Sequence, residues 1–234
     1  MTALLLDDPI PAAFEFRKWP KTSRLFRECV ITEKIDGTFG GIRIVERNFG
    51  EQLVLDDKPD PTVLAVTFGP PKMANDGVPA FEYWIGAQSK NRMLTTTDDN
   101  FGFAKWVQSN AVSLVQDLGE GSHFGEWWGA GIQRKYGTSF KNFSLFESRT
   151  LGDWSELPEF DTPALNVAPP LYVGEYYEGV VSECLSRLQE NGSQVAPLGW
   201  PTPEGVVIKF KTGERFKVTL DNNDRGKWEG DVTL

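Results

Sequence analysis

Short strand-forming segments that alternate with glycine-containing turns recur along this chain of 234 residues, and they constrain its fold more than any other feature. The segments 29–31 and 42–45 are rich in β-branched residues, and residues 36–41 between them have the composition of a turn. Residues 29–46 are therefore predicted to form a β-hairpin. The same kind of pattern predicts further strands at 52–56, 62–68, 81–87, 123–128 and 143–148, and a second hairpin at 205–220.

Two helices are predicted between these strands. The first covers about 100–118, and Asp98, Asp99 or Asn100 could cap its N-terminus. Its apolar residues repeat at helical spacing, at Phe103, Val107, Ala111, Leu114 and Val115. The second covers about 174–191 and ends at a glycine, Gly192, which is a common helix stop.

The remaining segments complete a prediction of one domain over residues 1–234. Residues 150–170 contain four prolines and are predicted to be a surface loop, while 1–28 form an irregular leader and 221–234 a polar tail. Strands mixed with two helices predict an α+β fold built on antiparallel sheet.

Composition excludes several classes of function. The chain has 24 Lys and Arg against 33 Asp and Glu, a net charge of −9, which argues against a large basic groove for nucleic acid but leaves a local basic patch open. Cys29 and Cys184 are too few and too far apart for a disulfide scaffold or a zinc site, and one histidine, His123, excludes multi-histidine metal sites. No apolar run reaches the roughly 18 residues of a membrane span, and the apolar residues 3–6 are followed by acidic ones, unlike a secretory signal.

The run Glu33-Lys34-Ile35-Asp36-Gly37 is the first candidate for chemistry. A lysine that ends a strand before a glycine turn can be held rigidly, and its amine attacks a phosphate once it is neutral. Lysine has an ordinary pKa of about 10.4, which burial or nearby cations lower. On its own, the same pattern is more often a solvated residue of a hairpin.

Two segments supply candidates for nucleotide contacts. Glu126, between apolar neighbours in 124–129, could accept a hydrogen bond from a ribose hydroxyl or be a carboxylate at the rim of the core. In 143–147, alternation puts Phe143 on one face of a strand and Phe146 on the other. Phe146 could therefore stack on a purine or pack in the core.

The second hairpin carries candidates for phosphate and metal. Lys209 and Lys217 could clamp a triphosphate, and Glu204 could hold a divalent metal. If the two lysines are directly opposed, they share a face and the hairpin closes with a three-residue loop at 212–214, whereas a two-residue loop would separate them onto opposite faces. The alternative is two solvated lysines.

In this order, the segments resemble the ATP-dependent RNA ligase family, including its phage members, within the superfamily of covalent nucleotidyltransferases that also holds DNA ligases and mRNA capping enzymes. Residues 31–38 resemble motif I, and the later motifs III, IIIa, IV and V correspond to 124–129, 143–147, 204–209 and 215–218. The leader 21–25 and the segment 88–94 are also similar to phage RNA ligases. In the family a basic residue of that segment contacts phosphate, and Lys90 and Arg92 are both candidates.

The resemblance implies a single nucleotidyltransferase domain with an ATP-grasp-like arrangement and flanking helices, which binds ATP with Mg²⁺ or Mn²⁺. It implies that Lys34 captures AMP, and that Lys209 and Lys217 neutralise charge on the α-phosphate. The other implied contacts with the nucleotide and metal are those of Glu33, Asp36, Gly37, Lys90 or Arg92, Glu126 for ribose, Phe146 for adenine and Glu204 for the metal.

The implied reaction passes AMP to a 5′-phosphate end and joins that end to a 3′-hydroxyl, with RNA as the preferred substrate. A DNA ligase is one alternative, and a non-catalytic module that binds nucleotides or nucleic-acid ends is another. The expected location is the cytoplasm, that of a host cell if the gene is a phage gene. No membrane partner is expected, and the oligomeric state stays open.

The chain also departs from the family pattern. Arg215 stands where motif V usually has a lysine, and Glu147 ends motif IIIa where aspartate is more usual. The chain stops 17 residues after Lys217, so no OB-fold appendage is expected.

Overall fold

The computed structural model describes residues 18–19, 21–22, 24–48, 54–55, 58–68, 81–148, 151–152, 154, 156–196 and 200–221. These residues form two main β-sheets, a short antiparallel pair of strands at 54–55 and 58–59, and three helices. The first strands are β1 (Glu28–Glu33), β2 (Thr38–Asn48), β3 (Val54–Leu55), β4 (Lys58–Pro59), β5 (Ala65–Thr67) and β6 (Phe81–Gln88). Two helices follow, α1 (Phe103–Ser109) and α2 (Ala111–Leu118). The later elements are β7 (Gly121–Gly129), β8 (Lys141–Glu147), β9 (Leu165–Val167), β10 (Pro170–Glu175), α3 (Val180–Asn191), β11 (Gly205–Phe210) and β12 (Arg215–Thr219).

The smaller sheet is antiparallel and has the strand order β10-β1-β11-β12. Its alternating residues Ile31, Ile208 and Phe210 form one buried cluster with Cys184 and Leu188 of α3. Because successive side chains of a strand point to opposite faces, the residues between them face away from α3. They line the space toward the larger sheet.

The larger sheet has the strand order β5-β6-β2-β7-β8-β9. Ile44, Ile85 and Leu145 on one face pack with Phe103 of α1 and Leu114 of α2, and this cluster is the largest part of the core. All of its strand pairs are antiparallel apart from β8 and β9, which run parallel. The expectation of purely antiparallel sheet was wrong at this edge, while the predicted α+β class is confirmed and the arrangement is compatible with a single domain.

A third buried cluster packs the segment between β1 and β2 against the larger sheet and nearby loops. It contains Ile35, which follows β1, together with Trp128 of β7, Tyr136, Ala168 and Ala196. The residue next to Lys34 is thus buried, and its packing holds the chain where it crosses from one sheet to the other.

The predicted hairpin at 29–46 was wrong. β1 pairs with β10 and β11 in the smaller sheet, whereas β2 pairs with β6 and β7 in the larger one. Local composition identifies strands and a turn, but long-range packing selects their partners. Residues 34–37 therefore form a crossing between two sheets instead of a hairpin turn.

The predicted helix at 100–118 is two helices, which are interrupted at Asn110. The Asn110 side-chain amide donates to the Trp106 carbonyl at 2.8 Å, a local bond that competes with helix continuation. Of the three candidate caps, Asp99 is the one that accepts bonds from the first turn, from the backbone N–H groups of Ala104 at 2.7 Å and Lys105 at 3.2 Å.

Several other element boundaries also differ from the predicted ones. The helix expected from 174 begins at Val180, because 170–175 form β10, and it ends before Gly192 as predicted. The loop expected at 150–170 contains β9. The strands predicted at 52–56 and 62–68 are represented by the short β3 and β5, and those at 81–87, 123–128 and 143–148 by β6, β7 and β8. Most of the leader and nearly all of the tail lie outside the described residues.

Among the helices that the structure describes, none combines the length and the apolar character that crossing a bilayer requires.

Candidate active site

The crossing segment 34–37 is held at both ends by hydrogen bonds from its backbone N–H groups. The Lys34 N–H donates to the Gly205 carbonyl at 2.8 Å, which ties it to the first residue of β11. The Gly37 N–H donates to Glu126 Oε1 of β7 at 3.2 Å. A Cβ at Gly37 would lie 2.5 Å from the Trp127 carbonyl oxygen and 2.8 Å from Trp128 Cβ, so only glycine fits so close to β7.

The Lys34 ammonium group forms an ion pair with Glu204, at 2.5 Å from Nζ to Oε2. The two side chains are 21% and 19% exposed, so the pair lies at the mouth of a partly buried site. A lysine acts as a nucleophile through its free amine, so Lys34 must leave Glu204 before it can attack.

Glu126 is the second carboxylate beside Lys34. Burial raises the pKa of the Glu126 carboxyl from 4.5 to about 7. The Lys34 charge and the Gly37 N–H lower that pKa, but the negative charges of Glu204 and Asp36 add to the effect of burial. Near neutral pH the carboxyl is therefore present in both forms and can donate as well as accept a hydrogen bond.

A cavity of about 260 Å³ opens between the two sheets next to Lys34. The smaller sheet contributes Val30, Thr32, Val207 and Lys209 to its wall. The larger sheet contributes Glu126 and Phe146, and Trp154 and Arg215 also line it. Mostly apolar walls with a few charged groups are typical of small-molecule sites.

Phe146 has the orientation that alternation along β8 predicts. Phe143 and Leu145 are fully buried under the helices, whereas Phe146 lies on the opposite face and lines the cavity. Its ring centroid is 6.2 Å from that of Phe39 on β2. A flat aromatic face is thus available at the wall of the cavity.

The cavity ends at a cluster of two cations and one carboxylate. Lys209 Nζ lies 2.6 Å from Glu147 Oε2, and Arg215 Nη2 bonds to the same oxygen. Glu147 therefore links β8 of the larger sheet to β11 and β12 of the smaller one.

The second hairpin is confirmed, and its register differs by two residues from the one in which Lys209 and Lys217 would be directly opposed. Lys209 pairs with Arg215, and Lys217 pairs with Val207. Phe210 N–H donates to the Glu214 carbonyl, which closes a three-residue loop at 211–213 instead of 212–214. Gly213, with a φ of +101°, ends this loop in a left-handed conformation that favours glycine.

A shift of two residues preserves the face, so Lys209 and Lys217 still point to the same side of the sheet. Their positions along the sheet differ. Val30 is opposite Lys209 and precedes Lys34 by four residues, or about 13 Å of strand. Thr32, two residues before Lys34, is the residue of β1 level with Lys217. Lys217 is exposed and does not line the cavity.

Two of the predicted nucleotide contacts, Glu33 and Asp36, have protein partners. Glu33 lines the cavity and is nearly fully buried. Its Oε2 accepts from the Gln194 N–H at 2.7 Å, while its buried Oε1 has no hydrogen-bond partner among the described residues. Burial raises the pKa of Glu33, and hydrogen bonds from Ser193 and Gln194 oppose that rise. The Asp36 carboxylate accepts from Arg134 Nε at 2.9 Å, and Asp36 does not line the cavity.

Lys90 and Arg92 lie in the turn that follows β6, and neither lines the cavity. Arg92 Nη2 is 2.8 Å from Asp98 Oδ1, which fastens this turn to the segment before α1. Lys90 is exposed. The structure thus brings together Lys34, Glu126, Phe146, Glu204 and Lys209, with Glu33 also at the cavity wall, and leaves the 90–92 turn apart from them.

Sequence reasoning missed Arg134 and Tyr136, which lie in the loop between β7 and β8. The Tyr136 hydroxyl accepts from the Asp36 N–H at 2.7 Å, so both residues contact the crossing segment. Their segment, Gln133-Arg134-Lys135-Tyr136, lies between Gly131 and Gly137 and has the composition of an ordinary loop. No local pattern distinguishes it from a solvated turn.

The part of the chain that the structure describes contains no group of three or more His, Cys, Asp or Glu side chains arranged around a metal. Mg²⁺ is usually held by one or two carboxylates together with substrate phosphates. Glu204, with an exposed fraction of 19% and a place beside Lys34, fits that kind of shared site.

Comparison with known proteins adds the family. A model of the RNA ligase family matches residues 27–225, which include every candidate residue of the site. The chain belongs to the RNA ligase family. Membership in this family supports a ligase that acts on RNA ends. A search of curated proteins finds no match.

Proposed function

We propose that this member of the RNA ligase family is an ATP-dependent RNA ligase that carries AMP on Lys34. The observation that supports it most is the place of Lys34, beside two carboxylates at the edge of a cavity between two sheets. A lysine fixed by its own backbone beside a nucleotide-sized pocket is what phosphoramidate chemistry requires.

In the proposed first step, the neutral Lys34 amine attacks the α-phosphorus of ATP. A P–N bond forms, the bond between the α-phosphorus and the bridging oxygen breaks, and pyrophosphate leaves with that oxygen. The amine loses its remaining extra proton to solvent. The product is AMP joined to Lys34 through nitrogen.

The proposed nucleotide contacts follow the walls of the cavity. Phe146 stacks on adenine, and Glu126, present in both protonation forms, bonds to the ribose hydroxyls. Lys217 shares a face with Lys209 but is level with a residue closer to Lys34. We therefore assign the charge on the α-phosphate first to Lys217, while Lys209 reaches the nucleotide from the Phe146 end.

Glu204 is the proposed protein ligand of Mg²⁺ or Mn²⁺, together with the phosphates of ATP. When bound, the ion supplies positive charge against the triphosphate. Glu204 would thereby also affect Lys34. A Glu204 carboxylate that binds the metal ion would no longer pair with the Lys34 ammonium group.

The later steps complete an RNA ligation. A 5′-phosphate oxygen attacks the phosphorus of the AMP, the P–N bond breaks, and Lys34 regains its amine. A 3′-hydroxyl then attacks the adenylated 5′-phosphate, forms the phosphodiester and releases AMP.

Labelling tests the first step. The protein is mixed with Mg²⁺ and ATP, GTP or NAD carrying a labelled nucleotide, alongside Lys34→Ala and a matched variant of an exposed helical lysine, Lys105→Ala. We expect label from ATP in wild type and Lys105→Ala and none in Lys34→Ala. Label from GTP would indicate a capping-type enzyme, and tight ATP binding without label would indicate a non-catalytic module.

Strand sealing tests the substrate class. Nicked duplexes that carry RNA or DNA on the 3′-hydroxyl side are compared under the same conditions. We expect faster sealing with RNA, and equal or faster sealing with DNA would favour a DNA ligase instead.

A further inference from the structure

We propose that Arg134 and Tyr136 are positioning residues that hold Lys34 in the geometry for attack. This inference rests on the proposed function and adds to it a part of the molecule outside the cavity, the loop between β7 and β8. Neither residue lines the cavity, and both contact the crossing segment 34–37 through Asp36.

The two residues grip Asp36 from two sides. The Tyr136 hydroxyl accepts from the Asp36 backbone N–H at 2.7 Å, and Arg134 Nε donates to Asp36 Oδ2 at 2.9 Å. On the other side of the lysine, the Lys34 N–H donates to the Gly205 carbonyl at 2.8 Å. Lys34 is thus bracketed, with one anchor at its own nitrogen and two anchors at the second residue after it.

The loop that carries these residues adopts an unfavourable backbone. Gln133, Lys135 and Tyr136 have backbone φ values of +40°, +60° and +45°. Residues other than glycine rarely adopt positive φ values. Such strain persists only where the surroundings over-determine the conformation, and it concentrates at functional sites. Here it turns Arg134 and Tyr136 toward the same residue, Asp36.

Packing holds Tyr136 in this conformation. Its side chain is 1% exposed, and its ring meets Trp128 edge-on at 5.2 Å between centroids. Trp200 packs over Gly137 on the next position of the loop. Burial also raises the pKa of the Tyr136 phenol, so the hydroxyl stays neutral.

Arg134 uses three nitrogens for three different acceptors. Besides Asp36, Nη1 donates to the Thr202 carbonyl and Nη2 to Asp221 Oδ2, each at 2.9 Å. Lysine cannot reproduce this fork, because its single nitrogen cannot reach three divergent acceptors. Asp36 is 29% exposed and Asp221 is 67% exposed, so solvent screens the bond to Asp221 more. Asp221→Asn therefore serves as a matched control, because it changes another acceptor of Arg134 and leaves Asp36 intact.

The experiment measures single-turnover transfer of AMP to the protein over a range of ATP concentrations, which separates the maximal rate from the half-saturating concentration. Displacement of a reacting group by about 1 Å costs on the order of 100-fold in rate. We expect Arg134→Ala to lower the maximal rate about 100-fold while the half-saturating ATP concentration changes less than about 3-fold. Arg134→Lys is expected to stay slow, and Asp221→Asn to stay close to wild type.

Tyr136→Phe is the second test, because it removes one hydroxyl and leaves the packed ring. We expect it to lower the maximal rate about 10-fold, and its effect in combination with Arg134→Ala to be less than the product of the two effects, since both act on Asp36. Thermal unfolding of each variant shows whether the fold is intact.

Several results would overturn the proposal. Wild-type rates of AMP transfer in folded Arg134→Ala and Tyr136→Phe would overturn it. Equal losses of maximal rate and ATP affinity would also overturn it, because they would indicate direct contact with the nucleotide. Full rescue by Arg134→Lys would reduce the role of Arg134 to its charge. If wild type itself takes no label from ATP, the proposed function fails and this inference with it, so the two failures are distinguished in one assay.

Discussion

Replacing Glu126 by glutamine is expected to reduce the dependence of the protein's stability on pH between about 4.5 and 7. In the folded protein burial raises the pKa of Glu126 to about 7, against 4.5 for the unperturbed group. Below pH 4.5 the carboxyl is protonated in both the folded and unfolded states, so folding takes up no proton there. Between the two values the unfolded chain ionises while the folded one keeps its proton, and the free energy of unfolding falls as pH rises.

The size of the effect follows from the same two values. Each unit of difference in pKa corresponds to about 1.36 kcal/mol, so the ionised Glu126 costs on the order of 3 kcal/mol once the pH exceeds 7. Glutamine has a similar shape and can still accept from the Gly37 N–H, but it does not titrate. The difference in unfolding free energy between Glu126→Gln and wild type should therefore grow with pH up to about 7 and then level off.

Urea unfolding at a series of pH values measures this difference. Glu33 adds a slope of the same sign, because burial raises its pKa as well, so Glu126→Gln removes part of the wild-type slope and not all of it. Glu159→Gln, at an exposed position, is the matched control and should keep the wild-type slope. A difference between Glu126→Gln and wild type that stays constant from pH 4.5 to 7, or that shrinks as pH rises, would refute the reasoning.

Two further predictions concern the cavity wall and the sheet that carries it. Phe146→Ala should raise the half-saturating ATP concentration in the labelling assay by about 5- to 150-fold, from a stacking energy of roughly 1–3 kcal/mol. Phe146→Tyr keeps the ring and should change that concentration little, and an unchanged value for Phe146→Ala would exclude stacking. Gly125→Ala should lower the free energy of unfolding in urea by about 1–3 kcal/mol, because its Cβ would meet a backbone oxygen of β8 at 2.4 Å. Gly152→Ala is its control, since nothing lies within 4 Å of a Cβ there, and equal stability of the two variants would contradict the packing argument.

The local sequence pattern predicted which segments form strands and helices better than it predicted which strands pair with each other. Alternation in 143–147 gave the correct faces for Phe143 and Phe146, because strand geometry alone determines which side a residue takes. The Gly37 turn was compatible with a hairpin, yet β1 and β2 lie in different sheets. The choice between these outcomes depends on Ile35, which packs with distant residues such as Tyr136.

In the candidate site, too, the sequence predicted individual residues better than their long-range contacts. The order of the motifs led to Lys34, Glu126, Phe146, Glu204 and Lys209, which the structure brings to one cavity or its edge. Arg134 could not be found in this way, because its contact with Asp36 spans 98 residues of sequence. The sequence left the register of the second hairpin open, because the loop at 212–214 and the observed loop at 211–213 both have three residues and both contain Gly213.

Mapping the modified residue tests the central claim most directly. Wild type is incubated with ATP and Mg²⁺, digested under conditions that preserve the P–N bond, and sequenced by mass spectrometry. We expect AMP on the peptide that contains Lys34, with the fragment ions assigning it to that lysine. AMP on Lys209, Lys217 or any other residue, or no adduct at all, would contradict it.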